Sequence, residues 1–177
     1  MGNRVVKRPA EGWHSPRPMT IAEIDELVAD WARAATRADR AGFDFIEIHA
    51  AHGYLLHQFL SPLSNDRYGG SLENRMRLAL RVTKAVREAW PASKPLFIRL
   101  SVVDGQINNG WSVDDSIVLS RKLRDLGCDV IDCSSSGLGG AATAATSRSE
   151  LGFQVPLAAT LKRGLLVFSA ISDGTQS

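Results

Sequence analysis

Cysteine is scarce in this 177-residue chain, which has two, Cys128 and Cys133. Two thiols exclude a disulfide-rich secreted scaffold. Positions five apart on a strand face opposite ways, so this pair is poorly placed to bridge. A reducing, cytoplasmic setting is therefore expected. Long apolar runs are also missing, and nothing approaches the roughly 20 residues that span a bilayer. No membrane partner is expected. Residues 1–18 are polar and basic with no apolar h-region, unlike a secretory signal, and Val6 stands where N-myristoylation needs Ser or Thr. Charge of one sign is lacking as well. Lys and Arg number 21 against 19 Asp and Glu, a net of +2 with pI near 8.7 and no long run of either sign. That leaves no electrostatic footprint for nucleic acid. Finally, the chain is too short for a complete eight-unit β/α barrel, which takes about 250 residues.

The remaining composition, 44% hydrophobic and 23% charged, is that of an ordinary globular domain. After a lead at 1–19 containing Pro9, Pro16 and Pro18, Thr20-Ile-Ala-Glu23 reads as a capping box. Ile24, Leu27, Val28, Trp31, Ala34, Ala35 and Ala38 then recur at helical spacing until Gly42 stops the helix. Residues 43–49 read as a strand. Residues 72–90 form a second helix, capped by Ser71 and ended by Pro91. A strand follows at 96–102, a helix from Ser112 to Gly127, and a strand at 129–133. Residues 164–172 could add a further strand, and 172–177 are a tail. Strands alternating with helices predict a parallel sheet with crossover helices.

Two segments align without gaps: Gly42-Phe-Asp-Phe-Ile-Glu-Ile-His-Ala-Ala-His52 and Gly127-Cys-Asp-Val-Ile-Asp-Cys-Ser-Ser-Ser-Gly137. In each a glycine ends a helix, a strand carries an acid, and a loop of small residues follows. The strand at Leu96 lies between the copies. A unit repeating in this way favours a β/α barrel over an open sheet.

Alternation divides the strands into two faces. Ile46, Ile48, Ile98, Leu100, Ile131 and Cys133 suit packing under helices. Glu47, His49, Arg99, Ser101, Asp132 and Ser134 share the other face, near the strand ends where barrel active sites lie. Arg99 needs a partner there: Glu47, Asp132 or an anionic ligand. An internal salt bridge that only fixes register is the alternative, but three neighbouring strands with this pattern favour a ligand site. The loop His49-Ala-Ala-His52-Gly-Tyr54-Leu-Leu-His57 follows the first of these strands. A histidine at a strand end can donate to a substrate oxygen, Ala50 and Ala51 leave room beside the backbone, and the Tyr54 hydroxyl can deliver a proton. The spacing of His49, His52 and His57 permits zinc, but no Cys cluster or His-Glu-Xaa-Xaa-His pattern supports it, and no metal is expected. His57 reads more simply as a cap of the following helix.

The segment from Phe43 to Asn65, followed by Tyr68-Gly-Gly-Ser-Leu-Glu-Asn-Arg75, strongly resembles the Old Yellow Enzyme family of NADH:flavin oxidoreductases. Its nearest pattern is the bacterial NADPH dehydrogenase and xenobiotic reductase branch. The resemblance continues through Pro95-Leu-Phe-Ile-Arg-Leu-Ser101, Asp129-Val-Ile-Asp-Cys-Ser-Ser135 and Gly152-Phe-Gln-Val-Pro156, covering about 18–162. It implies an α/β fold: part of a (β/α)8 TIM barrel, about strands 4–6 or 7, over residues 20–171. It also implies FMN as cofactor, reduced by NADPH or NADH, and an activated alkene (an enone or nitro-alkene) as substrate. Hydride would pass to the β-carbon. His49 and His52 would hold the substrate oxygen, Tyr54 would protonate the α-carbon, and Arg99 would lie beside the flavin pyrimidine. Tyr68 to Arg75 would be structural.

The sequence departs from the family pattern in three places. The segment between Asn65 and Tyr68 is short, the family's earlier strands with their flavin contacts are outside this chain, and the likeness stops after Lys162. A catalytically silent truncated fragment is the alternative reading. A third is a phosphate- or metal-binding half-barrel whose exposed edges pair in a homo-oligomer.

Overall fold

The computed structural model of the chain describes residues 17–62, 68–104, 110–135, 137–138, 152–165 and 169–171. The first helix, α1 (Ile21–Arg40), begins where expected. Thr20 Oγ1 accepts from the Glu23 N–H, and the Glu23 carboxylate accepts from the Thr20 N–H. That reciprocal cap satisfies two otherwise orphaned donors and is worth about 1 kcal/mol. Strand β1 (Ile46–Ala50) follows, then a short α2 (Leu55–Leu60) and the long α3 (Leu72–Ala89). Ser71 caps α3 by accepting from the Asn74 N–H, and the chain turns out of it before Pro91. Strand β2 (Leu96–Ser101), α4 (Val113–Asp125), β3 (Val130–Ser134), α5 (Val155–Leu165) and β4 (Ser169–Ile171) complete the order.

The four strands are all parallel in the order β1-β2-β3-β4, so every connection is a crossover. Register pairs Ile48 with Ile98 and Ile98 with Ile131, an apolar row facing the helices. These side chains are at most 2% exposed. They pack with Met76, Val82 and Val86 of α3 and Leu119 and Leu123 of α4 in one core. Burying each such side chain contributes roughly 1.5–3 kcal/mol, which anchors the sheet and frees its other face for polar groups.

Several expectations shift. β1 starts at Ile46 because its pairing begins at Ile46↔Leu96. Phe43 and Phe45 precede it and stay exposed. The stretch expected as a strand at 164–172 opens inside α5, and of its described residues Ser169–Ile171 form β4. α5 was not anticipated, because Pro156 and Gly164 obscure its pattern. Pro156 sits in the first turn, where a missing N–H is harmless. Cys128 precedes β3 instead of lying in it. Both thiols are free and buried, and burial pushes each up to about 12, leaving them unreactive.

Candidate active site

His49, Arg99 and Asp132 lie in one row across β1, β2 and β3. Of the three partners offered for Arg99, the structure supplies Asp132, with Nε 3.2 Å from Oδ2. The Arg99 side chain is 26% exposed and that of Asp132 11%, so the pair is shielded but reachable. Partial desolvation and then the Asp132 charge push the Glu47 carboxyl above its usual value.

His49 Nδ1 accepts from the Ala51 N–H at 3.2 Å, so neutral His49 carries its hydrogen on Nε2. Desolvation, reinforced by the Arg99 charge, lowers its pKa. The same two causes, in the same order, and then His49 push His52 down to about 4. Both imidazoles are thus neutral at neutral pH and able to donate without carrying charge. Their rings meet edge to face at 5.2 Å, and Tyr54 meets His49 at 5.2 Å from the other side. Tyr54 is 62% exposed, so its hydroxyl is on the open side.

Ala50 and Ala51 differ from expectation. Both are fully buried, so they form the floor under the loop and offer no direct contact to a ligand. Their small size lets the loop turn tightly. His52 takes φ 59°, an uncommon conformation for a residue with a Cβ. Its N–H donates to Ser101 Oγ at 2.9 Å and its Nε2 hydrogen-bonds Ser134 Oγ. The loop therefore crosses from β1 over β2 to the end of β3. Gly53 and Gly137 make the crossing feasible: a Cβ on Gly53 would stand 2.3 Å from the Gly137 carbonyl oxygen. His57, fully buried on α2, accepts from the Gly53 N–H through Nδ1 at 2.9 Å; that bond holds the residue before the Tyr54 N-cap and is not the helix cap expected of it. Among the described residues, no group of three His, Cys, Asp or Glu side chains is placed to hold a metal ion.

The sequence matches the NADH:flavin oxidoreductase / NADH oxidase family over residues 4–156. The chain belongs to this family. Similar relatives include an NADPH dehydrogenase of a Geobacillus species, 45% identical over 87% of this chain and 44% of the relative. Another, from Clostridium acetobutylicum, is 47% identical over 72% of this chain and 38% of the relative. Among solved structures, the Old Yellow Enzyme homologue from Zymomonas mobilis superposes with a TM-score of 0.70 at 26% identity, over 93% of this chain and 45% of that one. Morphinone reductase in complex with tetrahydroNAD gives 0.67 at 27% identity, over 92% and 42%. The chain spans less than half the length of these relatives. Its parallel strands and crossover helices are part of the TIM barrel of these enzymes.

Flavin oxidoreductases of this family work with FMN and NADH or NADPH. The donor set here fits one end of such a cofactor. Arg99 is a fixed cation on the face opposite the helices, partly exposed, which suits the electron-rich pyrimidine edge of a flavin. Tyr68 to Arg75 serves the fold. Tyr68 is buried edge-on against Phe59 at 5.4 Å, and its hydroxyl accepts from Arg81. Arg75 lies over Trp111 and 3.6 Å from Asp115. The shortened segment at 63–67 lies outside the described residues.

Two contributors drew no role from the sequence, although Gln154 lies in the matching segment Gly152–Pro156. Gln154, 4% exposed, reaches Ser134 Oγ at 3.5 Å. Asp104, fully buried after β2, accepts from Ser61 Oγ and from the Trp111 N–H, each at 2.8 Å. It ties the end of α2 to the entry of α4. Neither residue lies in a periodic pattern, and both act through contacts distant in sequence.

Proposed function

We propose that this chain carries the substrate-activating end of an FMN-dependent, NAD(P)H-driven ene-reductase acting on enones or nitro-alkenes in the cytoplasm. The working unit is residues 20–171, with 1–19 a lead and 172–177 a tail. The observation that carries this reading is the pair of neutral imidazoles, His49 and His52, edge to face at a strand end beside the Arg99 cation.

When bound, FMN supplies two-electron transfer, taking hydride from NADPH or NADH and delivering it to the alkene. The rest is work for this chain's side chains. His49 donates Nε2–H to the carbonyl or nitro oxygen, and His52 supports the same oxygen. That draws electron density from the double bond and makes its β-carbon electrophilic. Tyr54 then gives its hydroxyl proton to the α-carbon, balancing the charge left there. Arg99, oriented by Asp132, places positive charge at the pyrimidine edge. Ala50 and Ala51 hold the loop from below.

A second reading has its own support. Arg99 is already paired with Asp132 and His52 with Ser134, which suits a folded but catalytically silent piece of such an enzyme. One experiment separates the two. The purified chain is titrated with FMN and its visible spectrum followed anaerobically. Under the first reading bound flavin bleaches with NADPH and regains colour with an enone. Absence of flavin retention at high micromolar FMN overturns turnover by this chain alone and leaves the silent reading.

A further inference from the structure

The turn after β1 is held by side chains of α2. Gly53, just after His52, has φ 75°, so consecutive residues at 52 and 53 both occupy the left-handed region. A residue with a Cβ adopts this backbone rarely, and such a conformation persists only when surrounding contacts over-determine it. The His52 N–H is taken by Ser101. Both polar groups of Gly53 are taken by neighbouring side chains of α2. His57 Nδ1 accepts from its N–H at 2.9 Å, and Gln58 Nε2 donates to its carbonyl at 2.8 Å. Opposite them Gly137 presses on the same peptide.

We propose that His57 and Gln58 are positioning residues: together they clamp the Gly53 peptide and thereby aim the His52 ring at Ser134 and the substrate oxygen. This rests on the ene-reductase reading for the substrate, but the clamp itself is independent of flavin. His57 acts here as a buried acceptor. That is why its proton must sit on Nε2 when neutral, the only tautomer compatible with an acceptor at Nδ1. Asparagine can mimic this: its Oδ1 occupies nearly the position of imidazole Nδ1. Leucine fills the space without accepting.

The test uses the isolated chain, without flavin, read by NMR. Amide exchange at Gly53 reports the clamp, and the protonation midpoint of His52 reports the placement of its ring, since burial, then the Arg99 charge and His49, hold it low. In His57→Leu, Gly53 exchange quickens at least about fivefold, as loss of a buried acceptor requires, and the His52 midpoint rises from about 4. His57→Asn restores both. Gln58→Ala, which leaves the core intact, moves both readouts the same way by less. A folded His57→Leu with both readouts unchanged overturns the clamp, as does His57→Asn disturbing them as much as His57→Leu. Should His57→Leu fail to fold, Gln58→Ala decides: unchanged readouts overturn the proposal and shifted ones support it. Failure of the flavin experiment above would leave these readouts in place, so the two ideas fail separately.

Discussion

The β1 and β3 units share a backbone plan and differ in what they carry. Gly42 and Gly127, at matching positions, leave their helices at φ 84° and 87°. Four positions before the end of each aligned segment stand Ile48 and Cys133, both buried against the helices. Then the two diverge. β1 presents His49 where β3 presents Ser134, and His52 where β3 has Gly137. The backbone at this last pair is left-handed in both, φ 59° and 128°. The two positions also touch, since a Cβ on Gly137 would stand 2.3 Å from the His52 carbonyl carbon. Glycine adopts such a backbone freely and histidine does not. One unit therefore supplies rings under strain, and the other supplies the space and the hydroxyl that receive them.

The sharpest way to break the comparison is to give the β3 unit the bulk it lacks. Gly137→Ala should lower stability by roughly 2–5 kcal/mol, combining a strained φ with overpacking against backbone that cannot yield. Gly127→Ala meets Arg87 Cδ at 3.0 Å and Cγ at 3.3 Å, on a side chain held by the Trp90, Pro91 and Lys94 carbonyls, and Gly42→Ala meets nothing within 4 Å. Gly42→Ala should lose about 1–2 kcal/mol from the backbone alone, and Gly127→Ala somewhat more but less than Gly137→Ala. Urea unfolding of the three variants measures the ranking. Equal losses would mean that the contact between the two loops is not what holds them.

The next comparison is between ligands. His49 belongs to β1 and Arg99 to the strand between the units, and their proposed duties differ. If the chain binds FMN, His49→Ala should weaken phenol-type ligands about tenfold, as loss of one good hydrogen bond implies, and leave flavin affinity unchanged. Arg99→Ala should do the reverse. Spectral titration with each ligand checks both, and matched effects would refute the division of roles.

Much of this was legible in the sequence, and the reason is local. The Thr20 capping box, Ser71, Ser112 and Pro91 mark helix ends through contacts within a turn, and alternation in β1 to β3 sorted the two faces. The sequence narrowed the partner of Arg99 to Glu47, Asp132 or an anionic ligand, and the register of β2 against β3 supplies Asp132. Illegible features depend on long-range register. The crossing of His52 from β1 to Ser134 of β3 spans 82 residues. Buried Ala50 and Ala51 looked like free space until the loop folded over them. α5 was hidden because Pro156 and Gly164 are harmless only at the ends where they happen to fall.

The smallest effect is one of pH, and it too separates the units. His52 is held at about 4 against 6.5 for a free imidazole, so below pH 6.5 the unfolded chain binds a proton that the folded chain refuses. Stability is therefore complete above 6.5 and falls as the pH drops from 6.5 toward 4. His49 adds to the loss in the same direction. Ser134 and Gly137, the matching positions in β3, do not titrate, whereas the raised Glu47 carboxyl works against the histidine slope. His52→Asn is the informative variant, because asparagine tolerates a positive φ better than other side chains and removes the titration without forcing the backbone. Its urea midpoint should differ less between pH 7 and pH 5 than that of the parent. Any stability it loses at pH 7 then measures the ring's bond to Ser134, and an unchanged pH difference would assign the slope to other groups.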